Sequence, residues 1–441
     1  MFITKSLSSQ NELSLHLKTH APSFYHSSKT STVIPYDKLE SYLPWDHSKG
    51  DFCFVDLSKM PQKMELSTDH ILKISGAISW QEASQFLTSK NRVIMTSPTE
   101  QLALVLAGVA TSCTGERCFG FGNLRSQVKK ITYLNFKGEE VHLNAEKKFP
   151  DFPELSTYQN EYSNYKNFKN APYPRFEKET DLMIGTEGQL GIITEVELLT
   201  APLDDVTYMF LLLPRFEENI KPHLEIFHGV QSWRNEILAC ELLDSNSMNY
   251  LKEDEKLGNN QDIIFLEVKT NAFEKVFSDF LMNLKLTPDD QIFEITKTKY
   301  HQVRAGVPRA VFETNSKMGV TKIGTDAQVD ENHFEQLLLF YREAAKIGVR
   351  YSLFGHFGDG HLHFNYMPSQ NDYQRSLTHI EGLYQEVLKW KGSPFAEHGI
   401  GLLKQKYIKY FYSPKQSQVF KKLKTLHDPH GQFFPQGFMH L

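Results

Sequence analysis

Short apolar runs alternate with amphipathic stretches along most of the chain. Phe52–Leu57 and Ile71–Ser75 read as short strands, and Ser79–Leu87 follows as a helix. Thr99–Val109 predicts a second helix, with Thr99 as its cap, Glu100 in its first turn and an Ala/Leu-rich interior. Val128–Phe136 and Glu140–Leu143 flank Lys137-Gly138, a hairpin signal. Ile192–Leu199 is a β-branched run and predicts a strand. After Ala201-Pro202-Leu203 the rhythm changes to strand, helix, strand, strand over Val206–Leu213, Phe216–Phe227, Glu236–Leu243 and Asp262–Lys269. Phe334–Ile347, His379–Lys391 and Gln416–Leu426 predict helices before a Pro/Gly-rich tail, Asp428–Met439. The first forty residues are rich in Ser, Thr and His and predict irregular chain, as does the aromatic, Pro- and Asn-rich stretch Phe149–Arg175. The fold class is α+β, with a domain boundary near residue 203 and no repeat of period about 20–50.

Composition narrows the function classes. At about 100–200 residues per domain, 441 residues make two or three domains. Hydrophobic residues at 40% and charged residues at 23% are ordinary for a globular chain. A formal net charge of −5 argues against a nucleic-acid binder. The longest apolar stretch, about Met209–Pro214, is far short of the ~18 residues of a membrane span, although peripheral membrane association stays open. Met1–His20 lacks a continuous apolar h-region, so a cytoplasmic location is expected. Cys53, Cys113, Cys118 and Cys240 form no C-x-x-C, which argues against an iron–sulfur cluster and for free thiols in a reducing compartment.

The chemistry concentrates in Phe354-Gly-His356-Phe-Gly-Asp359-Gly-His361-Leu-His363-Phe-Asn365, which reads as strand, glycine turn, strand. Period-2 alternation puts His361, His363 and Asn365 on one face, and a hairpin folds His356 back toward them. Paired imidazoles suit a divalent transition metal, with Glu397 of Ala396-Glu397-His398-Gly399-Ile-Gly401 as a candidate third ligand. The same histidines could also pack or hydrogen-bond structurally, so the residues alone leave both readings open. In Gly185-Thr-Glu-Gly-Gln-Leu-Gly191, backbone amides could line a phosphate or ring system, though neither a Walker A loop nor G-x-G-x-x-G is present. Gly108–Arg125 is similarly rich in small residues.

Taken together, these segments resemble the FAD-dependent 2-hydroxy acid dehydrogenases and oxidases of the vanillyl-alcohol-oxidase-like superfamily. That group holds D-lactate dehydrogenases, D-2-hydroxyglutarate dehydrogenase and the glycolate oxidase flavin subunit. The likeness runs from about Phe52 to the C-terminus. It is most specific in GTEGQLGIIT (Gly185–Thr194), FGHFGDGHLHFN (Phe354–Asn365) and EHGIGLLK (Glu397–Lys404). Lys322–Asp326 and the tail Asp428–Gly437 also resemble family segments.

The resemblance implies a two-domain FAD-binding oxidoreductase fold. Residues 1–203 would bind FAD, 204–412 would form an α+β substrate (cap) domain, and 413–441 would return to the FAD domain. Flavin contacts would come from Pro98, Thr99, Gly108, Ala110, Thr111, Gly115, Gly122, Arg125, Gly185, Glu187, Gly188, Gly191 and Ile192. His356, His363 and Glu397 match metal ligands, with zinc first and iron or manganese as alternatives. His398 matches the catalytic base. Arg304, Lys322 and Asn365 match substrate-binding positions.

The implied reaction is oxidation of a small D-2-hydroxy acid (lactate-, glycolate- or 2-hydroxyglutarate-like) to the keto acid. Electrons would pass to an acceptor protein, a quinone or oxygen. Departures lie mostly on the FAD side: His26–Ser31 replaces a glycine-rich pyrophosphate loop, Thr114 stands where a glycine is usual, and Phe434 where an asparagine is usual. On the substrate side, Ala305–Pro308 replaces a polar stretch after Arg304. The alternatives are a divergent member with weak or no FAD binding and a partner role, and alkyl-dihydroxyacetone-phosphate-synthase-like chemistry.

Overall fold

The computed structural model describes residues 1–440 except 44, 47, 49 and 259. The chain divides into two compact units, one of 1–114, 123–203 and 397–441, the other of 115–122 and 204–396.

The first unit opens with structure that the composition of its first forty residues does not predict. β1 (Phe2–Ser6), β2 (Ser23–His26) and β3 (Phe52–Asp56) form a parallel sheet in the order β1-β3-β2, and a helix over Gln10–Leu17 is capped by Ser9. The strands are only four or five residues long. Their core partners Leu134, Ile192 and Phe433 lie far along the chain. Local pattern cannot reveal such distant pairing.

A second sheet contains β4 (Lys63–Leu66), β5 (Ile71–Ser75), β6 (Arg92–Ile94), β7 (Val128–Leu134), β8 (Glu140–Asn144) and β9 (Ile192–Pro202). Its order is β4-β5-β9-β7-β8, with β6 also on β9, all antiparallel. The predicted first helix runs Trp80–Thr88, with a reciprocal Ser79/Glu82 capping box. The second starts later than its composition predicts, at Val105–Thr111. The Trp80 and Gln81 N–H groups donate to the Ala103 and Gln101 carbonyls, at 3.0 and 2.9 Å, and so draw the preceding segment out of helix. The stretch 149–175 is not irregular throughout: Pro153–Tyr162 is helical, and buried Tyr158 packs against Tyr173 and Phe176.

In the second unit, β10 (Val206–Leu213), β11 (Ile237–Leu243), β12 (Asp262–Lys269), β13 (Ile292–Ile295), β14 (Ile323–Gly324), β15 (Ala327–Gln328), β16 (Tyr351–His356) and β17 (His361–Tyr366) build one antiparallel sheet. The order is β13-β10-β12-β11-β16-β17-β14, with β15 also on β17. Every residue of β11 is buried, which suits its apolar run Ile-Leu-Ala-Cys-Glu-Leu-Leu apart from Glu241. Lys297–Met318 is a long helix, capped by Thr296 and ended by left-handed Gly319. Its buried stripe, Tyr300, Val303, Arg304, Val307 and Val311, has helical spacing that Pro308 conceals in the sequence. The stripe packs on Tyr208, Leu243 and Phe265 of the sheet.

Beneath β16, Asp244 accepts the Ser247 and Leu353 N–H groups at 2.9 and 3.0 Å. Burial, with Asp262 adding repulsion, pushes its carboxyl up to about 7. An unfolded aspartate titrates near 3.9. The fold therefore favours the protonated form, a contribution complete below about pH 4 and lost as pH rises through about 7. The second unit's thermal midpoint is expected to fall between about pH 5 and pH 8, and Asp244→Asn to flatten that slope. A slope unchanged in the variant would refute the assignment.

Candidate functional site

The hairpin of β16 and β17 pairs His356 with His361 and Phe354 with His363. His356, His361 and His363 are 2%, 0% and 6% exposed, and one ring nitrogen from each lies within 4.8 Å of the others. Gly355 makes this possible: a side chain there would meet the His361 carbonyl at 3.0 Å and the His363 ring at 3.1 Å.

Each imidazole is held from one side by an acceptor. His356 Nδ1 meets Glu241 Oε1 at 2.8 Å, His361 Nε2 meets Asp326 Oδ1 at 3.0 Å, and His363 Nδ1 meets the Thr325 carbonyl at 3.2 Å. An acceptor takes the N–H of one nitrogen and leaves the lone pair on the other, the orientation a metal-binding imidazole needs. The donor set therefore fits a divalent ion of the zinc, iron or manganese type. Asn365 follows on the same strand and donates to the His363 carbonyl at 3.2 Å, while Lys322 is exposed just before β14.

Glu241 does more than hold His356. Its second oxygen accepts from Arg304 Nη2, so one fully buried carboxylate joins the histidine to the arginine. Glu116 Oε2 lies 3.7 Å from Arg304 Nε. Burial works against the guanidinium charge, but Glu241 and then Glu116 outweigh it and raise the Arg304 pKa. On the neighbouring strand, Glu267 is paired with Arg117 at 2.7 Å. Sequence reasoning missed Glu241 and Asp326 as members of this cluster, and placed His361 on its face without counting it among the metal ligands. Glu241 had a signal: a lone acid inside an apolar strand needs a buried partner.

In the first unit, Gly185, Glu187 and Gly188 all have left-handed backbone, at φ 73°, 53° and 70°. A side chain at Gly188 would meet nothing nearer than the Gly191 carbonyl at 4.0 Å, so the turn leaves an open cradle. The Glu187 N–H donates to the Ala110 carbonyl at 2.9 Å. Its carboxylate accepts the Ile400 and Gly401 N–H groups at 2.6 and 3.0 Å. Burial pushes this carboxyl up, opposed by those two amides and by Lys404. The loop after β2 has no glycine, yet Lys29 takes φ 56° and keeps a glycine-type turn. The open cradle and this turn fit a bulky anionic cofactor such as FAD.

The other positions expected at the flavin divide. Pro98 and Thr99 precede the helix that carries Gly108, Ala110 and Thr111, and Ile192 begins β9. Gly108 is packed against Trp80 and Cys113, and Gly191 against Tyr133. Arg125 is bound by Asp181 through two hydrogen bonds, at 2.5 and 2.8 Å. Gly115 and Gly122 bracket a segment of the second unit, where Arg117 meets Glu267 and Phe119 stacks under Arg234 at 4.3 Å. Glu397 and His398 are half-buried and follow Ala396, whose N–H donates to the Asp326 carbonyl at 3.0 Å.

Residues 205–436 match the family of FAD-linked oxidases, C-terminal domain. The mitochondrial D-2-hydroxyglutarate dehydrogenase of Danio rerio is 31% identical over 274 residues, covering 58% of this chain and 49% of that enzyme. The chain thus spans about half the length of that relative. The mitochondrial D-lactate dehydrogenase [cytochrome] of Kluyveromyces lactis is 23% identical over 425 residues, covering 90% and 67% of the two chains. A solved alkyldihydroxyacetonephosphate synthase aligns with a TM-score of 0.66 at 12% identity, covering 98% of this chain and 75% of its own, a likeness of fold. Among the described residues no helix is long and apolar enough to cross a membrane.

Proposed function

Because the chain belongs to the FAD-linked oxidases, we propose that it oxidises a small D-2-hydroxy acid of the lactate, glycolate or 2-hydroxyglutarate kind to the 2-keto acid. The observation that carries this reading is the buried hairpin cluster of His356, His361 and His363, each ring oriented by an acceptor. The relatives named as D-2-hydroxyglutarate and D-lactate dehydrogenases support the substrate class.

FAD would lie against the Gly185–Gly191 turn and the loop after β2, and when bound would supply the acceptor for the hydride leaving C2. His356 and His363, with His361 beside them, would hold a divalent ion, whose charge makes a nearby hydroxyl easier to deprotonate, and Glu397 is the third ligand that the family resemblance implies. Arg304 offers a guanidinium fork to the substrate carboxylate, and Glu241 and Glu116 fix its plane. Lys322 and Asn365 are further substrate-contact positions. His398 takes the hydroxyl proton as general base.

The test is the visible spectrum of the purified protein together with its metal content. A flavin spectrum, about one metal per chain, and anaerobic bleaching by D-lactate, glycolate or D-2-hydroxyglutarate are expected. Protein that stays colourless after incubation with FAD would overturn the reading.

A further inference from the structure

Glu187 has the wrong surroundings for a simple cofactor contact. Its backbone is left-handed at φ 53°, where a non-glycine residue is held only by its neighbours. The Ala110 carbonyl fixes its N–H at 2.9 Å, and the side chain reaches 213 residues along the chain to the Ile400 amide. There, Gly399 and Gly401 are left-handed at φ 76° and 51°, and the Ile400 and Gly401 amides converge on the one carboxylate. Two successive amides turned this way form an anion-binding nest, and Glu187 fills it. A side chain on Gly399 would lie 2.7 Å from Glu187 Oε1, so the turn closes around the carboxylate only with glycine there. Downstream, the Leu402 and Leu403 amides both donate to the Val33 carbonyl, at 3.0 and 3.1 Å, which grips the other side of the turn. His398 is the residue immediately before this nest.

We infer that Glu187 is a positioning residue: its carboxylate sets the conformation of the 397–401 turn and thereby the placement of His398. The inference rests on the hydroxy-acid reading for His398 as base, but the turn's conformation can be tested without it.

Glu187→Gly is the informative variant, because glycine suits φ 53° and the side chain is lost without added backbone strain. In the flavin- and metal-loaded protein, kcat is expected to fall about 10²-fold with a smaller change in KM, since a misplaced group costs turnover before binding. Amide hydrogen exchange in the peptide spanning 397–404 is expected to speed up. Added formate, a free carboxylate able to enter the nest, is expected to slow that exchange and restore part of kcat, while chloride does neither. Unchanged exchange in 397–404, or faster exchange that formate does not reverse, would overturn the inference. Weaker FAD binding without faster exchange would instead make Glu187 a cofactor contact. A wild-type protein that turns over no hydroxy acid would defeat the functional reading, while exchange and its reversal by formate would still decide the role of Glu187.

Discussion

His398→Ala is expected to lower kcat for the hydroxy acid about 10²–10⁴-fold, the span that a positioned general base contributes. The loss should appear in kcat and kcat/KM alike, because the histidine accepts its proton in the transition state and contributes little to holding the substrate. His398 lies two residues before the amide that Glu187 clamps and on a half-buried turn, so its removal should leave the core and the flavin spectrum intact. Steady-state kinetics, beside the visible spectrum of each protein, check this. Turnover within a few-fold of wild type would transfer the base role elsewhere.

Glu241→Gln is the second large effect, on stability and metal together. It leaves Arg304 buried with Glu116 at 3.7 Å as the nearer remaining acid, and removes the charged acceptor of His356. Breaking a buried ion pair from one side costs about 3–5 kcal/mol. At about 2–4 °C per kcal/mol for a unit of this size, the thermal midpoint of the second unit should drop by roughly 6–20 °C. Loss of a carboxylate behind a ligating imidazole also lowers metal affinity by about 10–100-fold. Differential scanning calorimetry and metal titration against a competing chelator measure the two effects separately. A variant with wild-type metal affinity would remove Glu241 from the site.

The histidine hairpin was legible because its determinants are local. Glycines at 355, 358 and 360 between alternating strands dictate a tight return, and period 2 then places His361 and His363 on one face. Strands such as Val206–Leu213 and Asp262–Lys269 were legible for the same reason. The first forty residues were not, since their strands gain stability from β3 and from distant residues such as Leu134, Ile192 and Phe433. The helix Lys297–Met318 hid behind Pro308 and a stripe that includes Arg304, a charged residue that reads as surface until its partner Glu241 is known. Glu187 was read as a flavin contact through the family resemblance of its segment. Its grip on Ile400 and Gly401 depends on a segment more than 200 residues away, which no window of sequence brings into view.

The Glu241–Arg304 pair also limits how this strand and helix can change over generations. β11 is buried along its whole length, so any uncharged residue of similar volume at 241 would pack well by itself. Yet each one-step route there passes through a chain whose buried guanidinium has lost its nearest acid and keeps Glu116 at 3.7 Å, and each route from the arginine side passes through a buried carboxylate beside His356 that has lost its arginine. Both intermediates are less stable than either end point. The two positions, 63 residues apart in sequence, are therefore expected to drift as a unit, with acid and arginine kept together or lost together.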